Sequence, residues 1–211
     1  MSLPEELRHG VDQLGIELDV LTQDRLLNYL DLLNKWNKVY NLTAIRDPHQ
    51  MVGLHLLDSL SVIKHLWPGR WLDVGCGAGL PGMVLAIAQP GWEFTMLDSN
   101  SKKTSFVQQA IIELGLTNAN VICARVEEWR PAERFNGIIS RAYTELGDFL
   151  RTTRHLMAEH GSWAAMKGLP EQELARLPKG CRVDQVIPLQ VPGLHAARSL
   201  VIATCKGSEA T

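Results

Sequence analysis

Cysteine is scarce in this chain, and the little there is lies scattered: Cys76, Cys123, Cys181 and Cys205, with no C-x-x-C pair. That spacing argues against a zinc site and against a disulfide framework, so reduced thiols in a cytoplasm are expected. No metal is expected either. Long apolar runs are missing too. None reaches the ~18 residues a membrane-spanning helix requires, so no membrane association is expected. The opening Met1-Ser2-Leu3-Pro4-Glu5-Glu6 is acidic where a signal peptide would be basic, which speaks against export. An excess of one charge is absent as well: 21 Lys+Arg face 23 Asp+Glu, a net charge of −2. Any nucleic-acid contact must then come from a local patch. There is no repeat, no low-complexity segment and no Ser/Gly linker. The 211 residues suit one good-sized domain with a small extension, and a monomer is expected.

What is present is a glycine-rich turn, Trp71-Leu72-Asp73-Val74-Gly75-Cys76-Gly77-Ala78-Gly79-Leu80-Pro81-Gly82. The apolar run before it reads as a buried strand, and Pro81 suits the first turn of a helix. Glycines there permit unusual backbone angles and close approach of a ligand to the main chain. The dinucleotide fingerprint G-x-G-x-x-G/A fits poorly, because Leu80 holds its sixth position and Gly79 falls one residue early. The pattern instead carries an acid, Asp73, two residues before the first glycine. By Coulomb sign that disfavours a phosphate and favours a cation. S-adenosylmethionine, with an ammonium, a sulfonium and no phosphate, is the cofactor expected, rather than NAD. Asp98 ends the next apolar run, roughly 20 residues past the loop, where a carboxylate takes ribose hydroxyls. The alternative is that Asp98 merely caps the following helix.

The first stretch, to about Tyr40, reads as helical, with Leu26, Leu30, Leu33, Trp36 and Tyr40 as one apolar stripe. Beyond it, Lys35 and Lys38 among amides and aromatics read two ways: lysines complementing a helix dipole, or a nucleic-acid contact. Asp47-Pro48 opens a second helical stretch running to Ile63. On it His55 and Asp58 share a face and could hydrogen-bond each other. A packed or solvated polar pair is the other account.

From Trp71 the pattern alternates: strand 71–74, helix from Pro81, strand 94–98, helix 101–114 with Ser101 as cap, and strand 120–124. It continues with strand 136–140, a helix near 145–157 and strand 162–167. Two tail strands, 181–188 and 199–205, flank a loop at 190–198. Such alternation predicts an α/β fold, a mostly parallel Rossmann-like sheet with helices on both faces. Residues 1–69 form a helical N-terminal extension packed on a 70–211 core.

Ligands of open α/β sheets bind beyond the carboxyl ends of the strands. The loops there offer Arg125-Val126-Glu127, Arg141 and Lys167. Glu127 could accept from the adenine amine beside a backbone amide, with Arg141 and Lys167 facing the reacting centre. Lys102 and Lys103 oppose the dipole of their own helix at about 0.3–1 kcal/mol each. That suggests a polyanionic substrate, although exposed lysines tolerate such places. Pyrimidine C5 methylation would need a nucleophilic cysteine beside the site. Exocyclic amine methylation usually carries [D/N]-P-P-[Y/F], which is absent. Guanine N7 has an in-plane lone pair, needs no base, and sits beside a carbonyl that arginine or lysine reads. Ribose methylation stays open.

Several blocks together resemble the bacterial small-subunit ribosomal RNA guanine-N7 methyltransferase family, also called glucose-inhibited division protein B. They are Lys35-Trp36-Asn37-Lys38-x-Tyr40-Asn41-Leu42-Thr43, His55-x-x-Asp58-Ser59, the glycine turn, Leu97-Asp98-Ser99, Arg125-Val126-Glu127-Glu128, Ile139-Ser140-Arg141-Ala142 and Lys167-Gly168. The resemblance implies a class I S-adenosylmethionine-dependent methyltransferase that acts on nitrogen 7 of a guanosine, nucleotide 527, in 16S ribosomal RNA of the small subunit. It carries cofactor contacts onto Gly75, Leu80, Val126, Glu127 and Arg141. Asp73, Gly77, Gly79 and Asp98 are expected to join them. Arg141 and Lys167 are expected at the chemistry, and Lys35, Lys38, His55, Lys102, Lys103 and Arg125 on the RNA. Cys76 and Ala78 stand where relatives often have Thr or Ser and Pro, with little effect expected because backbone binds there. The rivals are a small-molecule methyltransferase and a non-catalytic nucleoside-binding, ribosome-associated module.

Overall fold

The computed structural model describes residues 1–206. Seven strands form one sheet in the order β3-β2-β1-β4-β5-β7-β6. They are β1 (Arg70–Val74), β2 (Glu93–Asp98), β3 (Ala119–Cys123), β4 (Phe135–Arg141), β5 (Met157–Lys167), β6 (Cys181–Leu189) and β7 (Arg198–Cys205). The first five run parallel; β7 is antiparallel to β5 and to β6. Because β2 and β4 lie on opposite sides of β1, the chain direction across the sheet reverses there, and a crevice opens at the carboxyl ends.

Period-2 alternation assigns each strand residue to a face. Trp71 packs with the N-terminal helices and with α5 (Gly82–Ala88) and α6 (Ser101–Glu113), whereas Leu72 and Val74 pack with α7 (Leu146–Thr153) on the other face. Asp73 therefore points to the same side as Trp71, beneath the helices, with consequences for the site. On that side lie α1 (Leu3–Leu14) and α2 (Val20–Tyr40). Asp19 caps α2 by accepting from the Thr22 amide at 2.7 Å, and Asn41 ends it in the left-handed region. The buried stripe of α2 is Leu26, Tyr29, Leu30, Leu33 and Asn37; each large apolar member adds ~1.5–3 kcal/mol of burial. Tyr40, expected on that stripe, is instead 44% exposed and lies against Trp36. Tyr40 is the last residue of α2, so the stripe runs out of facing core at Asn37. Tyr29 reaches further, donating its hydroxyl to the carbonyl of Ala78 at 2.7 Å, so the extension braces the glycine turn.

The stretch expected as one helix to Ile63 is composite. α3 (Pro48–Met51) passes into a π-helical segment, Val52–Leu57, then α4 (Asp58–Leu60) and a 3₁₀ turn, Ile63–His65. In the wider π turn the Asp58 amide bonds to the carbonyl of Gly53, and the carbonyl of Leu54 accepts from Arg141. Such π segments are often found at functional sites.

Three further differences concern the second half. The helix expected to 157 ends at Thr153, whose hydroxyl donates to Phe149 and accepts from the indole of Trp163, and a 3₁₀ turn leads into an earlier β5. A short α8 (Glu171–Leu174) follows β5. Cys181 and Cys205, expected as free thiols, form a disulfide. They are 24 apart in sequence but directly opposite in the β6–β7 ladder, a proximity that strand pairing creates and spacing alone does not show. Cys76 and Cys123 are free.

Candidate active site

Two cavities meet at the carboxyl ends of the strands. The first, ≈ 300 Å³, is bounded by Gly75 after β1, Asp98 after β2, Arg125, Val126 and Glu127 after β3, and Ala142 and Tyr143 after β4. Gly75 takes φ +68°, and a Cβ there would come within 2.5 Å of the Tyr143 ring. Only glycine fits such a place. The amides of Gly75 and Cys76 both donate to the Leu97 carbonyl, pinning the turn to β2. Asp98 adds a second tie, accepting from the Gly77 amide at 2.9 Å and from the Asn100 amide at 2.8 Å. Asn100, not Ser101 or Asp98, caps α6, accepting from the Lys102 and Lys103 amides. Asp98 thus ends β2 in the cavity wall, a carboxylate whose oxygens can accept further hydrogen bonds such as those of a ribose diol.

The expected cofactor residues divide. Gly75, Asp98, Val126 and Glu127 line the cavity, and Gly77 joins it through Asp98. Gly79 turns inward, where a Cβ would strike Met83, and Leu80 is buried in the core. Asp73 is fully buried, and one oxygen accepts from the Gly82 amide at 2.8 Å, anchoring the start of α5. Its other oxygen is buried without a partner, and burial pushes its carboxyl up to about 7. The strand alternation that hides Asp73 removes it from the cavity wall, so the cation preference first assigned to it has to come from other residues. Lys103 and Arg125 stand at the rim and Lys102 is exposed nearby.

The second cavity, ≈ 420 Å³, shares Ala142 with the first and is lined by Leu54, His55, Asp58, Arg141, Met166, Lys167, Gly168 and Arg198. Ala142 takes φ +54°, a left-handed conformation rare for a residue with a Cβ. Arg141 therefore serves the second cavity. It donates to the Leu54 carbonyl at 2.9 Å and to Asp58 Oδ2 at 3.1 Å. Its expected place among cofactor contacts does not match this geometry, because the turn at Ala142 sends it to the far side. Arg198 donates to Asp58 Oδ1 at 3.2 Å, so one carboxylate with a side chain only 3% exposed bridges two guanidinium groups. Lys167 faces the same cavity, paired with Glu173 at 2.7 Å and donating to the Thr144 carbonyl.

His55 does not bond to Asp58. It is buried, its Nε2 lies 3.0 Å from the Thr43 hydroxyl, and burial and then Arg141 push its imidazole down to about 4. It is neutral near pH 7 and packed into the wall of the second cavity. Lys35 and Lys38 are exposed on α2, while Asn37 between them is buried and holds the Thr43 amide and the Ile45 carbonyl. Arg198 and Tyr143 escaped the sequence reading. Arg198 lies at the edge of a segment read as loop, and its only signal is an arginine opening a strand beside Lys167. Among the described residues no cluster of three or more His, Cys, Asp or Glu could hold a metal, and no helix is long and apolar enough to cross a membrane.

Residues 22–201 match the profile of the rRNA small subunit methyltransferase G family. The ribosomal RNA small subunit methyltransferase G of Laribacter hongkongensis is 51% identical over 202 residues, 95% of this chain and 98% of that protein. The one of Stutzerimonas stutzeri is 54% identical, covering 94% of each chain. In fold, the chain is similar to the glycopeptide N-methyltransferase MtfA solved with S-adenosyl-L-methionine, with a TM-score of 0.60 at 11% identity, covering 72% of this chain and 95% of that one. TrmN from Thermus thermophilus gives a TM-score of 0.55 at 18% identity, covering 71% of this chain and 48% of that one. With the glycine turn, the 3-2-1-4-5-7-6 sheet and near-complete relatives at half identity in agreement, the chain belongs to the rRNA small subunit methyltransferase G family.

Proposed function

We propose that this protein transfers the methyl group of S-adenosylmethionine to nitrogen 7 of a guanosine in 16S ribosomal RNA, the site implied by the family resemblance being nucleotide 527. The observation that carries this reading is the pair of cavities joined at Ala142. One has Asp98, Glu127 and the first glycine of the turn in its wall with Lys103 and Arg125 at the rim, the other two arginines and a lysine beside Asp58. Asp98 suits a ribose diol, and Val126 and Glu127 suit an adenine edge. The bound donor supplies an electrophilic methyl on a positively charged sulfur. The guanine N7 lone pair forms the new C–N bond as the S–CH₃ bond breaks; its electron pair stays on sulfur and no proton moves.

The protein's part is therefore positioning. A base entering the second cavity meets Arg141, Arg198 and Lys167. Guanine O6 or an adjacent phosphate is an acceptor these cations read from the edge, where they do not oppose the charge that methylation places on the ring. Asp58 holds both arginines in register. Lys35 and Lys38 on α2, with Lys102, Lys103 and Arg125 at the rim, supply a local backbone-binding patch in a chain without net positive charge. A monomer working on the small subunit in the cytoplasm goes with this reading.

Incubation with labelled S-adenosylmethionine and undermethylated small subunits or rRNA tests it. Label on RNA, mapped to N7 of one guanosine, is expected. Label confined to a small metabolite would replace this reading with a small-molecule enzyme, and donor binding without turnover would replace it with a non-catalytic module.

A further inference from the structure

We infer that Tyr143 is the residue by which the donor cavity distinguishes S-adenosylmethionine, cationic at sulfur, from its neutral product S-adenosylhomocysteine. The inference rests on the proposed use of that cavity for the methyl donor.

The left-handed turn at Ala142 sends the side chains before and after it to different places: Arg141 lines the second cavity and Tyr143 the first. The Tyr143 ring lies directly on Gly75, where an added Cβ would be 2.5 Å from its Cδ2, so the ring is held over the first glycine of the turn. Phe149 supports it from behind, with ring centroids 6.4 Å apart at 74°. The ring is thus packed between Gly75 and Phe149.

The distribution of charge around the cavity gives that ring its significance. Asp98 and Glu127 both stand at the β2 and β3 end, the side suited to ribose and adenine. The reactive methyl has to leave toward the second cavity, past the ends of β1 and β4. On that side the lining is Val74, Gly75, Ala142 and Tyr143; the nearest carboxylate acting on Tyr143 is Glu127, and the cations of the cavity, Lys103 and Arg125, belong to the β2 and β3 side. Asp73, the acid nearest in sequence, is buried and bonded to the Gly82 amide. The electron-rich ring of Tyr143 is then the apolar wall placed to favour a cation there, in addition to the long-range pull of Glu127. Burial, with Glu127 and Asp98 nearby, pushes its phenol up, so the side chain stays un-ionised. A neutral thioether gains nothing from such a ring beyond packing, so the product is held less tightly than the donor.

Calorimetry with S-adenosylmethionine and S-adenosylhomocysteine on the wild type, Tyr143→Leu and Tyr143→Phe separates these effects. Tyr143→Leu is expected to weaken donor binding about fivefold while changing product binding less than about twofold, and Tyr143→Phe to keep both affinities. Equal losses for both ligands would reduce the ring to apolar filler and overturn the inference; so would unchanged donor affinity. A series of phenylalanines of rising ring fluorination at position 143 keeps size and fold. Donor affinity falling stepwise with product affinity constant is expected, and a flat series overturns the inference. If the wild type binds neither ligand, the donor reading itself fails and takes the inference with it, a result no Tyr143 variant can mimic.

Discussion

The two cavities at the carboxyl ends of the strands share the wall at Ala142 and are built in opposite ways. The first is largely main chain: a turn tied to β2 by Leu97 and Asp98, with polar groups supplied in sequence order by each strand end. The second is mainly side chain, assembled from the π-helical segment, the start of α4, β4, β5 and β7 around one buried carboxylate. A backbone cradle tolerates substitution as long as its glycines and hydrogen bonds remain. A charge network does not, since removing one member leaves its partners uncompensated. The difference predicts where variants will hurt most.

Asp58→Ala should have the largest effect. It leaves Arg141 and Arg198 without their shared anion, and a loss of about 3 kcal/mol in stability with nearly complete loss of methyl transfer is expected in urea melts and transfer assays. A variant as stable and active as the wild type would show the bridge to be incidental. Next comes Arg141→Ala, expected to slow transfer about 100-fold while shifting the thermal melt only slightly, because Asp58 keeps Arg198 as its counter-ion. A melt that falls in step with activity would return Arg141 to a purely structural role. On the other side of Ala142, Asp98→Ala should weaken donor binding about tenfold by calorimetry, with a folded state still supported by the Leu97 contacts. Unchanged affinity would remove the ribose role.

A smaller effect, readable only as a pH trend, belongs to Asp73. Its folded carboxyl is raised from 3.8 to about 7, so the unfolded chain ionises first as pH rises. The stability of the wild type relative to Asp73→Asn should be greatest at the acid end, decline between those two values and level off above about 7. A difference independent of pH would mean that the Asp73 carboxyl titrates alike in the folded and unfolded chain. Smallest, Lys35→Ala or Lys38→Ala should each weaken RNA binding about two- to threefold and reduce the salt slope by about one, measured by titration at several ionic strengths. Neither should touch donor affinity.

The same contrast explains what could be read from the chain alone. The first cavity was legible because its parts follow one another: a glycine turn after a strand, an acid at the next strand end, Val126 and Glu127 after the third. The parallel sheet was legible from the alternation of apolar strands and capped helices. The misses share one cause, the need for neighbours remote in sequence. Arg198 meets Asp58 across 140 residues, and Cys181 meets Cys205 only once β6 and β7 pair. The π segment has no signature in periodicity, yet it sets Asp58 and Leu54 against Arg141. Asp73 was visible but misassigned, since its place on the Trp71 face of β1 buries it under α5. His55 and Asp58, close in sequence on one helical stretch, turned to different partners, Thr43 and the two arginines.

The division of labour across Ala142 is tested most directly by donor affinity, measured by calorimetry on Arg141→Ala beside Asp98→Ala. The account expects Arg141→Ala to bind S-adenosylmethionine within about twofold of the wild type while Asp98→Ala loses about tenfold. An Arg141→Ala protein that loses donor affinity as heavily as Asp98→Ala would contradict it, and would make the two cavities one.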